Sequence, residues 1–194
     1  MRRQVKLKPE VSPIDINDWK HPKHITEIQT QLLTEQNNIC AYTETHLGRT
    51  DKKEIEHFDP TLKNTDADGY ENWFLVKAQW NNEKGSIPRW KKHQPLIHPT
   101  AEDFEDRIIY LDGEYICKPN DKEAKQLIEY LKLDDEKLTT ERKNYIERRK
   151  EAIKYRNTTA QNYFEQLLLK EPNRVYFIRA IEAEFSIKLN LKTP

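Results

Sequence analysis

The chain lacks a long apolar run, a surplus of charge of either sign, and all but two cysteines. No segment approaches the roughly 18 consecutive apolar residues of a membrane span, and the mean hydropathy is -1.00, which argues against a membrane role. Thirty-three basic and thirty-three acidic residues cancel, so a protein basic over its whole surface is excluded, although a local patch can still hold a phosphate backbone. The start, MRRQVKLKPEVSPIDINDW, is basic but has no apolar signal core, and Cys40 and Cys117 give no disulfide framework. A reducing cytoplasm is the expected compartment. There is no internal repeat and no low-complexity segment.

What is present is unevenly distributed. Residues 99–136 hold twelve acids against five bases, whereas residues 137–156 hold eight bases against three acids. A shorter basic run carries Lys84, Arg89, Lys91 and Lys92 with no acid and with Trp90 among them. At 194 residues the chain has room for one domain, or for one with an appendage. Three stretches are expected: an extended N-terminal arm over 1–24 with Trp19 as its anchor, a central unit over 25–98, and an acidic hairpin and helical region over 99–194.

Apolar positions Ile25, Ile28, Leu32, Leu33 and Ile39 fall near a 3.6 period and predict a helix. KKEIEHFDP alternates and stops at Pro60, as a strand running into a loop does. Residues 61–71 are that loop, WFLV at 73–76 is a second strand, and KAQWNNEKG is a short helix closed by Gly85. IIYLDGEYIC predicts a hairpin turning at Asp112-Gly113. Helices are expected over Glu123 to Leu131, about Thr140 to Asn157, Ala160 to Leu169 with Pro172 as its breaker, and 174–187. Cys117 reads as a buried, inert thiol, and His93 and His98 as loop residues around Pro95.

The chemistry concentrates in Glu56-His57, Asn72 and Asn81-Asn82-Glu83-Lys84, carried on a strand, a loop, a second strand and a helix. Phosphodiester hydrolysis needs a base for the attacking water and a divalent cation for the charge on the phosphate. His57 suits the base, since neutral imidazole titrates near 6.5. Glu56 and Asn81 offer the oxygen ligands that Mg²⁺ or Mn²⁺ prefers. As successive strand residues, Glu56 and His57 leave on opposite faces unless the strand end twists.

This order of residues resembles the HNH (ββα-metal) endonuclease family. The resemblance implies an α+β fold, with a compact ββα-metal module embedded in a mainly helical chain that carries a small additional β-hairpin. Carried over residue by residue, it implies Glu56 and Asn81 as metal ligands, His57 as general base, Asn72 as the residue that fixes the loop beside it, and Lys84 as a phosphate contact. Arg89, Lys91 and Lys92 would extend the nucleic-acid surface along the backbone, which carries no sequence information. Many members grip a structural zinc with two Cys pairs. Here Cys40 keeps the first position, but Thr43, Lys77 and Trp80 stand at the others, so no structural zinc is expected and Tyr42, Trp73 and Trp80 should pack in its place. More loosely, the Cys-Ala-Tyr turn, Glu-His-Phe-x-Pro, Asn-x-x-Lys-Gly and the basic helix resemble the PtuB-type HNH subunits of Septu and retron-associated anti-phage systems. That implies a nuclease acting on DNA, with RNA as the other substrate, under the control of an ATPase partner. The alternative is a catalytically degenerate binding or regulatory subunit of the same fold. The acidic segment and the basic helix are the expected partner surfaces.

Overall fold

The alternating KEIEH and the apolar WFLVK each form a five-residue strand, β1 (Lys53–His57) and β2 (Trp73–Lys77). They pair antiparallel, from Lys53 opposite Lys77 to His57 opposite Trp73. These and all other coordinates come from a computed structural model, which describes residues 1–6 and 24–191. The first four residues of β2 are buried on both faces. Its outer edge is closed as well, because the Gln36 carboxamide donates to the carbonyl and accepts from the amide of Leu75, both at 2.8 Å. Ala41 adds a backbone bond to the same carbonyl at 3.1 Å. An edge sealed this way cannot pair with another strand.

Helix α1 (Ile25–Glu35) precedes the hairpin and buries Ile28 and Leu32. It stops before Ile39, because Asn37 and Asn38 adopt left-handed backbone that a helix cannot continue. Helix α2 (Ala78–Lys84) follows β2 directly and ends at Gly85, whose φ of 84° favours glycine. Two short helices absent from the sequence expectation come next, α3 (Ile87–Lys92), with proline in its first turn, and α4 (Phe104–Arg107).

The second hairpin, β3 (Ile108–Leu111) with β4 (Glu114–Cys117), turns at Asp112-Gly113, both at positive φ as a tight two-residue turn requires. A side chain at Gly113 would also meet Lys143 Cγ at 2.5 Å. Helices α5 (Lys122–Leu131), α6 (Glu136–Tyr155) and α7 (Ala160–Lys170) begin at Asp121, Asp135 and Thr159, whose side chains accept from backbone amides three residues on. The Asp135 cap starts α6 four residues earlier than the basic pattern suggested. Helix α8 (Ile178–Phe185) is shorter than expected: Val175 to Phe177 stay outside it, with Phe177 in left-handed backbone. Among the described residues the fold is α+β, eight α-helices with two small antiparallel hairpins.

One hydrophobic cluster runs from Met1 through Leu32, Tyr42, Phe74, Ile108, Leu127 and Phe164 to Leu189, so the three stretches read from the sequence share a core. The arm expected over 1–24 is described only in part. Trp19 lies outside the described residues, while Lys6 is buried against the body, with its ammonium 3.3 Å from Glu35 and bonded to the Trp73 carbonyl. No described helix is long and apolar enough to cross a membrane.

Several of these charges are engaged within the chain, one of them buried and the others at its surface. Arg142 of the basic helix is fully buried, donating to the carbonyls of Gly113 and Leu133 and lying 4.5 Å over the Tyr115 ring. Lys143 pairs with Asp112 at 2.9 Å. Arg107 holds Asp121 through two 2.7 Å bonds and Glu123 through a third. The Arg107 bond, with the Ala124 amide helping, keeps the Asp121 carboxyl below its usual range. Its contribution to stability is therefore present above the unfolded carboxylate range and is lost as pH falls through the depressed value. Asp121→Ala removes both cap and ion pair and is expected to cost about 1–2 kcal/mol at pH 7. Urea denaturation should show that gap narrowing below about pH 4.

Candidate functional site

Period-two alternation puts Glu54 and Glu56 on one face of β1 and Ile55 and His57 on the other. Helix α2 covers the face with the two carboxylates. Asn81 donates from Nδ2 to Glu54 Oε2 at 2.8 Å, and Lys84, one turn later, places its ammonium on Glu56 Oε1. Two residues along the strand are matched by three along the helix, so the helix meets each acid with one side chain.

The Glu56–Lys84 pair is buried, the side chains 0% and 4% exposed. The Tyr42 hydroxyl donates to the other oxygen of Glu56, and Lys84 also donates to the backbone carbonyl of His57. The rings of Tyr130 and Trp90 lie 5.7 and 5.9 Å from the ammonium, close enough for cation–π attraction. Burial pulls the Lys84 ammonium down to about 7 and pushes the Tyr42 hydroxyl well up. The facing Glu56 carboxylate is the counter-ion that this buried ammonium meets.

On the opposite face, His57 Nε2 lies 3.0 Å from Asp68 Oδ2, and both side chains are under a tenth exposed. The Asn72 carboxamide grips the backbone of Asp59, accepting from its amide at 2.7 Å and donating to its carbonyl at 3.1 Å. The loop after β1 is thereby tied to the start of β2 beside the imidazole. Asp68 Oδ1 accepts from Asn72 Nδ2 at 3.1 Å and from Trp73 Nε1 at 2.9 Å.

The residues singled out in the sequence thus fall into two groups. His57 and Asn72 come together around Asp68, and Glu56 comes together with Lys84. Glu56 and Asn81, expected to share one cation, take different partners. Glu56 has Tyr42 and Lys84 on its two oxygens, and Asn81 faces Glu54, whose carboxyl is held below the usual range by the Asn81 amide and by Lys52. Among the described residues no three His, Cys, Asp or Glu side chains form a group able to hold a metal ion. As packed, the expected ligands do not fit a divalent ion, because Lys84 supplies the positive charge that Glu56 would take from it.

The basic run also divides. Arg89 clamps α2 to α5, donating to the carbonyls of Glu83 at 2.8 Å and Tyr130 at 3.0 Å, and Lys84 is inside. Lys91 and Lys92 are exposed on α3 and are the members of the run that face solvent. His93 and His98 pack on aromatic rings, His98 4.9 Å from Phe58, and both take local hydrogen bonds, to the Arg89 carbonyl and to the Thr100 hydroxyl.

At the positions where the resembled family keeps cysteines, Thr43 bonds Thr45 at 2.8 Å, Lys77 faces Asp51 at 3.6 Å, and Trp80 donates to the Leu131 carbonyl at 2.8 Å. Tyr42 and Trp73 are buried, Trp80 half-buried. Thr43, Lys77 and Trp80 line one groove of about 360 Å³ against Leu138 and Glu141 of α6. Cys40 is buried, and Cys117 is half-buried in β4.

Sequence reasoning missed Asp68, Glu54, Tyr42 as a hydrogen-bond donor, and Tyr130. Glu54 was within reach, since strand alternation puts it beside Glu56. Asp68 sits in NTDADGY, where polarity marks a loop but not which acid turns inward. No protein-family model matches the chain, and no curated protein matches it.

Removing one partner of a buried pair strands the other charge. Lys84→Met is therefore expected to destabilise the chain by about 3–5 kcal/mol in urea denaturation, with Glu56→Gln added to it recovering a large part. Equal stability of Lys84→Met and wild type would show that the pair is not buried in solution.

Proposed function

We propose that the chain is an HNH-type endonuclease that hydrolyses nucleic-acid phosphodiester bonds, DNA before RNA, with His57 as general base. The observation that carries this reading is the arrangement around Asn72. An antiparallel hairpin followed at once by a helix carries a largely buried imidazole whose neighbouring loop is gripped by an asparagine on both its amide and its carbonyl. That grip supports the loop-fixing role the resemblance implies for Asn72, which in this reading keeps the base in place for proton transfer from an attacking water.

In this reaction class a divalent ion, Mg²⁺ or Mn²⁺, supplies neutralisation at the scissile phosphate. Here Glu56 already has its cation in Lys84, so the roles proposed are those of the chain's own side chains. His57 accepts the proton, Asn72 keeps the loop from drifting, and exposed Lys91 and Lys92 hold the backbone of the substrate. Lys84 and Arg89 support the hairpin and helices from within.

The closed Glu56–Lys84 pair and the Asn81–Glu54 bond favour a second reading, a catalytically degenerate subunit that retains the fold and binds rather than cleaves. The ATPase partner implied by the resemblance belongs to both readings. One experiment separates them: cleavage of plasmid DNA in Mg²⁺ or Mn²⁺, with and without an ATPase co-expressed from the same locus. The nuclease reading expects cleavage that His57→Ala lowers by about 10²–10⁴-fold. Equal rates would remove His57 as base, and no cleavage in either state would leave the binding subunit.

Binding to DNA provides an independent check on the surface. Lys91→Ala with Lys92→Ala is expected to reduce the slope of log affinity against log salt by about 1 per lysine, for any DNA sequence. An unchanged slope would place the phosphate contacts elsewhere.

A further inference from the structure

The geometry points to Asp68 as the positioning residue for His57, holding the imidazole in the Nε2–H tautomer so that Nδ1 carries the basic lone pair. The catalytic use of this tautomer rests on the nuclease reading; the hold on His57 does not.

The two oxygens of Asp68 have different tasks. Oδ1 is anchored by two donors from the start of β2, the Asn72 carboxamide at 3.1 Å and the Trp73 indole at 2.9 Å. Both come from residues fixed by the strand pairing, since Trp73 is the register partner of His57 and Asn72 precedes it. Oδ2 is left facing His57 Nε2 at 3.0 Å. A carboxylate only accepts, so the hydrogen of the shared bond sits on Nε2, and the lone pair of the neutral ring then belongs to Nδ1. The bonds to Asn72 and Trp73 fix the Asp68 carboxylate, and with it the direction in which Oδ2 faces. Thr65, Asp66 and Ala67 are exposed, and Asp68 is the loop acid that turns inward, its side chain 9% exposed. The same carboxylate also bonds the Asn72 amide that grips Asp59, so base and loop share one anchor.

This arrangement makes an unusual demand on the isosteric variant. In Asp68→Asn the Asn72 and Trp73 donors still require an acceptor, so the new carboxamide keeps its oxygen toward them. Its NH₂ group then faces His57 Nε2, which must accept, and the ring proton moves to Nδ1. Asp68→Asn is therefore expected to reverse the tautomer without emptying the space.

The test is nitrogen-15 NMR of the histidine ring nitrogens at alkaline pH, in full-length wild type and Asp68→Asn. Wild-type His57 should show the Nε2–H pattern and Asp68→Asn the Nδ1–H pattern. The wild-type spectrum needs no variant to fold, and an Nδ1–H pattern there would overturn the proposal outright, as would an unchanged pattern in a folded Asp68→Asn. In the cleavage assay Asp68→Asn should lower kcat by about 10²–10⁴-fold with KM little changed, and Asp68→Glu should recover part of it. A wild-type kcat kept by a variant with the reversed tautomer would refute the positioning role. A reversed tautomer in a protein whose wild type cleaves nothing would refute the nuclease reading while leaving the hold of Asp68 on His57 intact.

Discussion

The two-residue repeat of a single strand decides how the reactive side chains of this molecule are shared between two faces. Because successive side chains of β1 leave on opposite faces, Glu56 and His57, adjacent in the chain, enter separate environments. Glu56 goes under α2 to a lysine and a tyrosine, and His57 goes to a loop aspartate and an indole. The register with β2 fixes both outcomes at once. A slip by one residue would turn the imidazole toward Lys84 and the carboxylate toward Asp68, placing two acids together and two basic groups together. The sealing of the outer edge of β2 by Gln36 and Ala41 protects that register from one side, and the buried Trp73-Phe74-Leu75-Val76 run protects it from both faces.

A second theme is how many charges the fold takes out of water. Lys84 and Glu56, Lys6 and Glu35, and Arg142 each sit within the body, with hydrogen bonds to carbonyls or with aromatic rings around them. Glu44 is the acid on which β4 and the start of α8 converge. It is buried, accepts from the Tyr115 hydroxyl and the Arg179 amide, and offers its carbonyl to Phe177 at the start of α8. Such groups add little to net stability beside apolar residues of the same size, but removing one partner is costly because it leaves the other charge buried and unpaired. The helices of the second half are thus docked on the hairpin unit by directional contacts as well as by the shared core.

Legibility in the sequence followed the range of the interaction. The tight β3–β4 turn, α2 with its glycine stop, and the helices α5 to α7 are set largely by neighbours along the chain, and their positions, with those of the separate strands β1 and β2, were readable to within a few residues. The errors came where a distant group intervened. Helix α1 stopped short because two asparagines took left-handed backbone, and α8 began late because Phe177 was drawn to Glu44 across the fold. Of the candidate site, His57, Asn72 and Lys84 were marked by their types and spacing, and all three are engaged around one hairpin. Which side chain pairs with which was not readable. The sequence singles out Glu56 but gives no partner for it, nor for Glu54, Asp59 or Asp68, and only packing distinguishes the acid that meets a lysine from the one that meets a histidine.

What the sequence alone determined is therefore the local grammar: where strands alternate, where apolar positions repeat at helical spacing, where glycine permits a turn, and which short stretch gathers the reactive side chains. Tertiary structure decided how those side chains are distributed: Glu56 to Lys84, Asn81 to Glu54, His57 to Asp68, and Arg89 inward while Lys91 and Lys92 remain outside. The reason is physical. Periodicity and turn chemistry act between neighbours along the chain, whereas a buried charge must find its partner in space, and that partner is known only once the faces have closed.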